Sequence, residues 1–192
     1  MIETPRLLLR KFELSDIESI VELLRNPEFM VYSPTGAMSY EQAIIRFQEL
    51  LDAYEIHGIG KFALVEKSTG ELIGYSGLEN FLYQGKNVVE LGYRIRPQSR
   101  GYGYAVEASS AVLDYAKQIG YSSVLALTEP ENGQSQHILK KLGFERCGKG
   151  VFENSPWTTL KNAFNKRLKR DCQRVAFPVP MSRGGFGCCA WV

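Results

Sequence analysis

From Val88 to Arg96 the side chains alternate. Val89, Leu91, Tyr93 and Ile95 fall on one face, and Val88, Glu90, Gly92, Arg94 and Arg96 on the other. A period of two predicts a strand, and Pro97 stops it. From Tyr104 to Ile119 the period becomes helical, with Ala105, Ala108, Val112, Ala116 and Ile119 on one side and Gly120 as the C-terminal stop. Upstream, Arg6 to Phe12 reads as a strand. Ser15 and Glu18 have the spacing of a capping box, and Ile17, Ile20, Val21 and Leu24 follow at helical spacing. Ser39 and Gln42 repeat the box before Ala43, Phe47, Leu50, Leu51 and Tyr54, and His57-Gly58 closes that helix. KFALVEK (61–67) and ELIGYSGL (71–78) flank Ser68-Thr69-Gly70 as a hairpin. SVLALT (123–128) is a buried-type strand. Asn132 to Leu142 is a helix with Ile138, Leu139 and Leu142 inward and Gly143 at its end. Two further strands are predicted near 144–152 and 158–168. The order β-α-α-β-β-β-α-β-α-β-β is α+β, a mixed sheet with helices on its faces.

Composition narrows the classes. The 192 residues suffice for one domain with a sizeable core. Apolar and charged fractions of 44% and 23% are those of a globular protein, and the net charge of +2 argues against nucleic acid or an acidic membrane as partner. No apolar stretch is long enough to span a bilayer, and MIETPRLLLRK carries no run of signal-peptide length. Cysteines 147, 172, 188 and 189 form no CxxC pair and no metal-ligand spacing with the two histidines. A reduced, cytoplasmic protein without a metal is expected. The domain is expected to occupy residues 1–170. Residues 171–192 lack any helical or strand period and read as a poorly ordered tail. Self-association, as a homodimer, stays open.

The chemistry concentrates in QSRGYGYAVEA (98–108), where a strand gives way to a helix across two glycines. A helix N-terminus carries unpaired amides and a partial positive charge, and glycines let backbone approach a phosphate. Gly101 and Gly103 therefore suit a pyrophosphate seat. A P-loop fails because Tyr104 follows Gly103. A dinucleotide fingerprint fails because Val106 stands where Gly or Ala is needed, and because the turn follows three or four strands. The pattern Q/R-x-x-G-x-G/A is satisfied by Gln98, Gly101 and Gly103.

That pattern resembles the coenzyme A signature of the GNAT superfamily of N-acetyltransferases. RPQSRGYGYAVEA resembles the family's strand-to-helix segment. Asn132-x-x-Ser135 followed by Leu142-Gly143-Phe144 resembles its second motif, and TPRLLLRKFELSD resembles the opening of the RimJ/RimL branch, which acetylates N-terminal amines of ribosomal proteins. The resemblance spans roughly residues 1–168. It implies a central, mostly antiparallel sheet of about seven strands with helices on both faces, and acetyl-CoA as cosubstrate. It sets the backbone of Ile95 and Arg96 against the pantetheine arm. It puts Arg100, Gly101, Tyr102, Gly103, Tyr104 and Ala105 at the pyrophosphate, and Asn132 beside the cofactor. Glu90, on the strand that carries the cofactor-contacting segment and four residues before Arg94, is the candidate general base, acting through water, against its alternative as an exposed strand glutamate. Many relatives supply a tyrosine to the leaving thiolate seven residues after the motif asparagine; here that residue is Leu139. Ser135 resembles the serine the RimJ/RimL branch offers instead, although Asn132 and Ser135 also suit a plain helix cap and first turn. His57 and His137 lie outside every motif. Lys140 and Lys141 reach a CoA phosphate or merely favour the helix dipole. Phe29, Tyr32, Phe81 and Tyr83 fall in segments read as loops, where the family builds its acceptor pocket. The implied function is acetyl transfer to a primary amine, a protein N-terminus or a small molecule, with no covalent enzyme intermediate. The alternatives are a non-catalytic acyl-CoA sensor and, more distantly, a nucleotide-binding oxidoreductase.

Overall fold

A computed structural model describes residues 1–83, 85–152 and 155–164. The expected tail at 171–192, and the end of the last predicted strand, lie outside the described residues. The elements run β1 (Ile2–Glu3), β2 (Leu7–Arg10), α1 (Ile17–Arg25), α2 (Tyr40–His57), β3 (Lys61–Glu66), β4 (Leu72–Tyr83), β5 (Lys86–Ile95), α3 (Tyr104–Gln118), β6 (Ser123–Thr128), α4 (Gly133–Lys141), β7 (Glu145–Phe152) and β8 (Ser155–Ala163). The eight strands form one sheet in the order β1-β2-β3-β4-β5-β6-β8-β7. Every neighbouring pair is antiparallel except β5–β6. The fold is the expected mixed α+β class, with the two-residue β1 as the strand the hydrophobic pattern is too short to show.

Strand alternation divides the core in two. Leu7, Leu9, Leu64, Leu78, Leu91, Tyr93 and Ile95 pack beneath α3 and α4, against Ala108, Val112, Ala116 and Leu139. Ala63 and Tyr75 face the other way, against Ile20, Leu24, Phe29, Ala43, Phe47 and Leu50 of the α1–α2 layer. β4 and β5 are a long hairpin, registered from Tyr83↔Lys86 to Gly74↔Ile95. That register sets Glu79 opposite Glu90.

Two local expectations change. The box before α1 is not Ser15–Glu18 but Glu13–Asp16, which opens a short 3-10 turn. Asp16 is drawn there because Arg10 grips both its oxygens at 2.7 Å, while the Glu13 amide donates to Oδ2 at 2.9 Å. A bidentate guanidinium–carboxylate pair outweighs a serine cap. Phe81 and Tyr83 are not loop residues: they continue β4, and Phe81 packs edge-on against Trp157 with centroids 5.8 Å apart. The Ser39–Gln42 box forms as expected, and Gly58 ends α2 in the left-handed conformation.

Candidate active site

β5 and β6 run parallel yet share a single register pair, Glu90↔Leu125. Beyond it, β5 stays registered with β4 as far as Ile95, and β6 with β8 as far as Thr128. The sheet is therefore unzipped between the C-terminal halves of its two central strands. The Arg96 amide donates to the Ile73 carbonyl of β4 at 2.8 Å. By alternation the peptide groups of Tyr93 and Ile95 face the opposite way, toward β6. The Ile95 carbonyl accepts from Arg100 Nε at 3.0 Å.

The glycine turn lies at the end of this opening. Gly101 and Gly103 have φ of 85° and 83°, and Gly103 is the N-cap of α3, so no side chain accepts from the first helical amides. A Cβ at 101 would meet nothing within 4 Å, and one at 103 only Arg6 Nη2 at 3.6 Å. Glycine is required here by conformation rather than by crowding. Two left-handed residues before a helix turn successive amides toward one point, which suits an anion. The opening strand braces the turn. Glu107 accepts from Thr4 Oγ1 at 2.6 Å, the Arg6 amide at 2.9 Å and Arg6 Nε at 2.7 Å, and Arg6 Nη1 donates to the Tyr102 carbonyl at 2.8 Å. The Arg6 guanidinium stacks on the Tyr104 ring, 4.6 Å from its centroid, and the Tyr104 hydroxyl donates to Glu66.

Not every candidate faces the turn. Arg100 donates to the carbonyls of Ile95 and Glu28, tying β5 to the segment after α1. Burial lowers its pKa, with Glu28 opposing that trend. Arg96 donates to Ser99 at 2.8 Å and pairs with Glu71 at 2.6 Å. Tyr102 is exposed and Ala105 half-buried. His57, His137, Lys140 and Lys141 are exposed, while Phe29 is core and stacks edge-on against Tyr75.

Glu90 is 1% exposed, and neither carboxylate oxygen has a hydrogen-bond partner. It shares the α1–α2 face with a buried charge cluster that no sequence motif marks. Lys61, wholly buried, places Nζ 3.3 Å from Glu79 Oε2 and 3.4 Å from the Gly77 carbonyl. Arg46 of α2 holds Glu79 Oε1 at 2.6 Å and reaches Glu49 at 2.9 Å. Burial would raise the Glu79 pKa, but Arg46 and Lys61 outweigh it and keep that carboxyl below its ordinary value. For Glu90 burial dominates. The carboxyl is pushed up to about 8, with Lys61, Arg46 and Arg94 pulling down and Glu79 pushing further up. One signal for the cluster was present in the sequence, since alternation puts Lys61 on the inward face with Ala63.

The other flank of the opening belongs to α4. Asn132 caps that helix, its Oδ1 accepting from the Ser135 amide at 3.0 Å. Ser135 is 3% exposed, and its Oγ lies 3.2 Å from the Tyr93 hydroxyl. Leu139 is wholly buried in the core. Glu90 and Tyr93, three residues apart, lie on opposite faces of β5. The carboxylate and the hydroxyl pair therefore flank the unzipped strands from opposite sides. An open groove of about 600 Å³ between α4 and β7–β8, lined by His137, Lys140 and Arg146 among others, lies on the other flank of α4 and includes neither Glu90 nor Ser135. Among the described residues, no group of three His, Cys, Asp or Glu side chains gathers as metal ligands, and no helix is long and apolar enough to cross a membrane.

A mostly antiparallel sheet with a glycine turn opening the helix after β5 agrees with what the resemblance to N-acetyltransferases implies. The acetyltransferase (GNAT) domain pattern matches residues 6–145, and the chain belongs to that family. It is 30% identical over 148 residues to the uncharacterized N-acetyltransferase YnaD of Bacillus subtilis (strain 168), covering 77% of this chain and 84% of that one. It is 34% identical over 151 residues to YoaA of the same organism, with the same coverage. Identity to the spermidine N(1)-acetyltransferase of Escherichia coli (strain K12) is 27%, over 76% of each chain. The solved GNAT acetyltransferase of Bacillus anthracis superposes with a TM-score of 0.70 at 27% identity, over 83% of this chain and 95% of that one. A ribosomal-protein-S5-alanine acetyltransferase from Vibrio fischeri superposes at 0.72 and 20% identity, over 86% and 97%, a likeness of fold.

Proposed function

We propose that this acetyltransferase moves an acetyl group from acetyl-CoA directly to a primary amine, with an α-amine as the preferred acceptor. Acetyl-CoA would supply the activated thioester. The amides from Gly101 to Ala105 would take its pyrophosphate, and the β6-facing peptide groups of Tyr93 and Ile95 would line its arm and polarise its carbonyl. Glu90 would remove a proton from the incoming ammonium, through water, and Ser135 would face the departing sulfur. One observation carries the reading: the only register pair between the parted strands is that of Glu90 itself, a carboxylate with both oxygens free. A base near 8 is matched to an α-ammonium, whose pKa is also about 8, and because only ionised Glu90 can take the proton, turnover should rise as the pH approaches 8. At pH 7 freeing an α-amine costs about 1.4 kcal/mol, whereas a lysine near 10.4 costs about 4.6 kcal/mol.

The test is calorimetric binding of acetyl-CoA, then thiol release across a panel of amines. The panel holds peptides beginning with alanine or serine, spermidine, and free lysine. Faster release with the α-amines, lost in Glu90→Gln, supports the reading. Release only with spermidine moves the acceptor to a polyamine. The buried Leu139, where many relatives use tyrosine, favours a second reading, an acyl-CoA sensor. Tight binding with no release on any amine would establish that reading instead.

A further inference from the structure

The leaving sulfur needs a hydrogen-bond donor, and Leu139 supplies none. Ser135 alone is weak, because a serine hydroxyl rotates freely and its proton points wherever an acceptor draws it. The structure adds a second hydroxyl that no motif announces. Tyr93 comes from β5, 42 residues before Ser135, and its hydroxyl meets Ser135 Oγ at 3.2 Å in a buried contact. Tyr93 is 5% exposed, and lies in the stretch of β5 that has parted from β6.

We propose that Tyr93 is a positioning residue that acts through Ser135, fixing the serine as a hydrogen-bond donor toward the departing sulfur. This rests on the reading that Ser135 faces that sulfur. The hydroxyl inventory gives the reason. Two hydroxyls carry two protons, and their mutual contact uses one. A phenol is the better donor of the two. Burial raises its pKa, against the pull of Ser135, so it keeps its proton. With the Tyr93 proton given to Ser135 Oγ, the serine proton must point elsewhere. The Ser135 amide is already anchored on Asn132, which fixes the backbone beneath it. Neither hydroxyl ionises. As the C–S bond breaks, its electron pair stays on sulfur and is steadied by the serine O–H. The nitrogen sheds its second proton to solvent, and the sulfur takes one proton from solvent on release. Hydrogen bonds to a charged partner are the strong ones, so the effect falls on the thiolate rather than on the bound thioester.

The test needs no acceptor. CoA is bound to the full chain, and the pKa of its thiol is read from the ultraviolet absorbance of the thiolate, for wild type, Tyr93→Phe, Ser135→Ala and the double variant. Binding of CoA and thermal melting are measured alongside, and phenylalanine keeps the ring packing. In wild type the bound thiol is expected to be more acidic than free CoA. Ser135→Ala lowers its acid dissociation constant about tenfold and Tyr93→Phe about threefold, with the double variant matching Ser135→Ala. If Ser135→Ala shifts the thiol and Tyr93→Phe does not, the positioning role is overturned while Ser135 keeps its place. If Ser135→Ala changes nothing, the reading of Ser135 falls first. Additive shifts in the double variant would mean that Tyr93 acts on its own, which also overturns the proposal. Wild type that fails to bind CoA sinks both.

Discussion

Replacing Glu90 by glutamine is expected to make the protein more stable and less active at once. Below pH 4.5 the carboxyl is protonated in both the folded and the unfolded chain, and burial costs the same either way. Between 4.5 and about 8 the unfolded chain loses that proton and the folded chain keeps it. The native state then binds more protons, so stability falls by about 1.4 kcal/mol for each pH unit. Above 8 the carboxylate is ionised in both states, and the loss levels off at about 5 kcal/mol; at pH 7 it is about 3 kcal/mol. Glutamine copies the protonated carboxyl in shape and has no such slope. Urea unfolding of wild type and Glu90→Gln at pH 5, 7 and 9 would read it directly. The two should differ little at pH 5, and the variant should be the more stable by several kcal/mol at pH 9. Turnover should fall at least about a hundredfold, the usual contribution of a positioned base. Parallel stability curves, or a variant less stable at pH 9, would refute the burial argument. They would mean that the three neighbouring cations, not desolvation, control this carboxyl.

Three further outcomes follow from the same geometry. Lys61→Met removes the largest influence holding Glu90 down, so the fall in stability should continue to a plateau above pH 8; Glu79 keeps Arg46 but loses its second cation, so the same unfolding curves should also show a lower stability throughout. Gly103→Val forces a branched side chain to φ 83°, at a cost of about 1–2 kcal/mol in stability, and calorimetry should find CoA bound at least about tenfold more weakly, since the first amides of α3 no longer converge. Leu139→Tyr should not rescue anything: position 139 is wholly buried in packed core, so overpacking should lower stability by about 1–3 kcal/mol in a thermal or urea melt, with no gain in turnover.

What the chain shows on inspection, and what it hides, divide by the range of the interaction that decides. β5 was legible because alternation is a property of one strand, and the Ser39–Gln42 box because its partners are three residues apart. The start of α1 misled because Arg10, five residues before Ser15, captures Asp16 and shifts the cap by a tertiary ion pair. The phosphate-type turn was legible as a run of residue types, but not its brace: Glu107 meets Thr4 and Arg6 from a hundred residues away. The same holds more sharply for the chemistry. Glu90 reads as one polar residue on an alternating strand, and nothing local says whether that face is wet. Only the long β4–β5 hairpin, which sets Glu79 across from it, and the arrival of Lys61 and Arg46 from β3 and α2 show that it is dry. A buried carboxylate without a hydrogen bond weakens a fold. Glu79 escapes that cost because two cations claim its oxygens. Glu90 lies beside the same cations with both oxygens free, at the pair where the sheet parts. Stability alone gives no reason for a carboxylate there, whereas the proposed role, once ionised, of taking a proton from an incoming ammonium gives one.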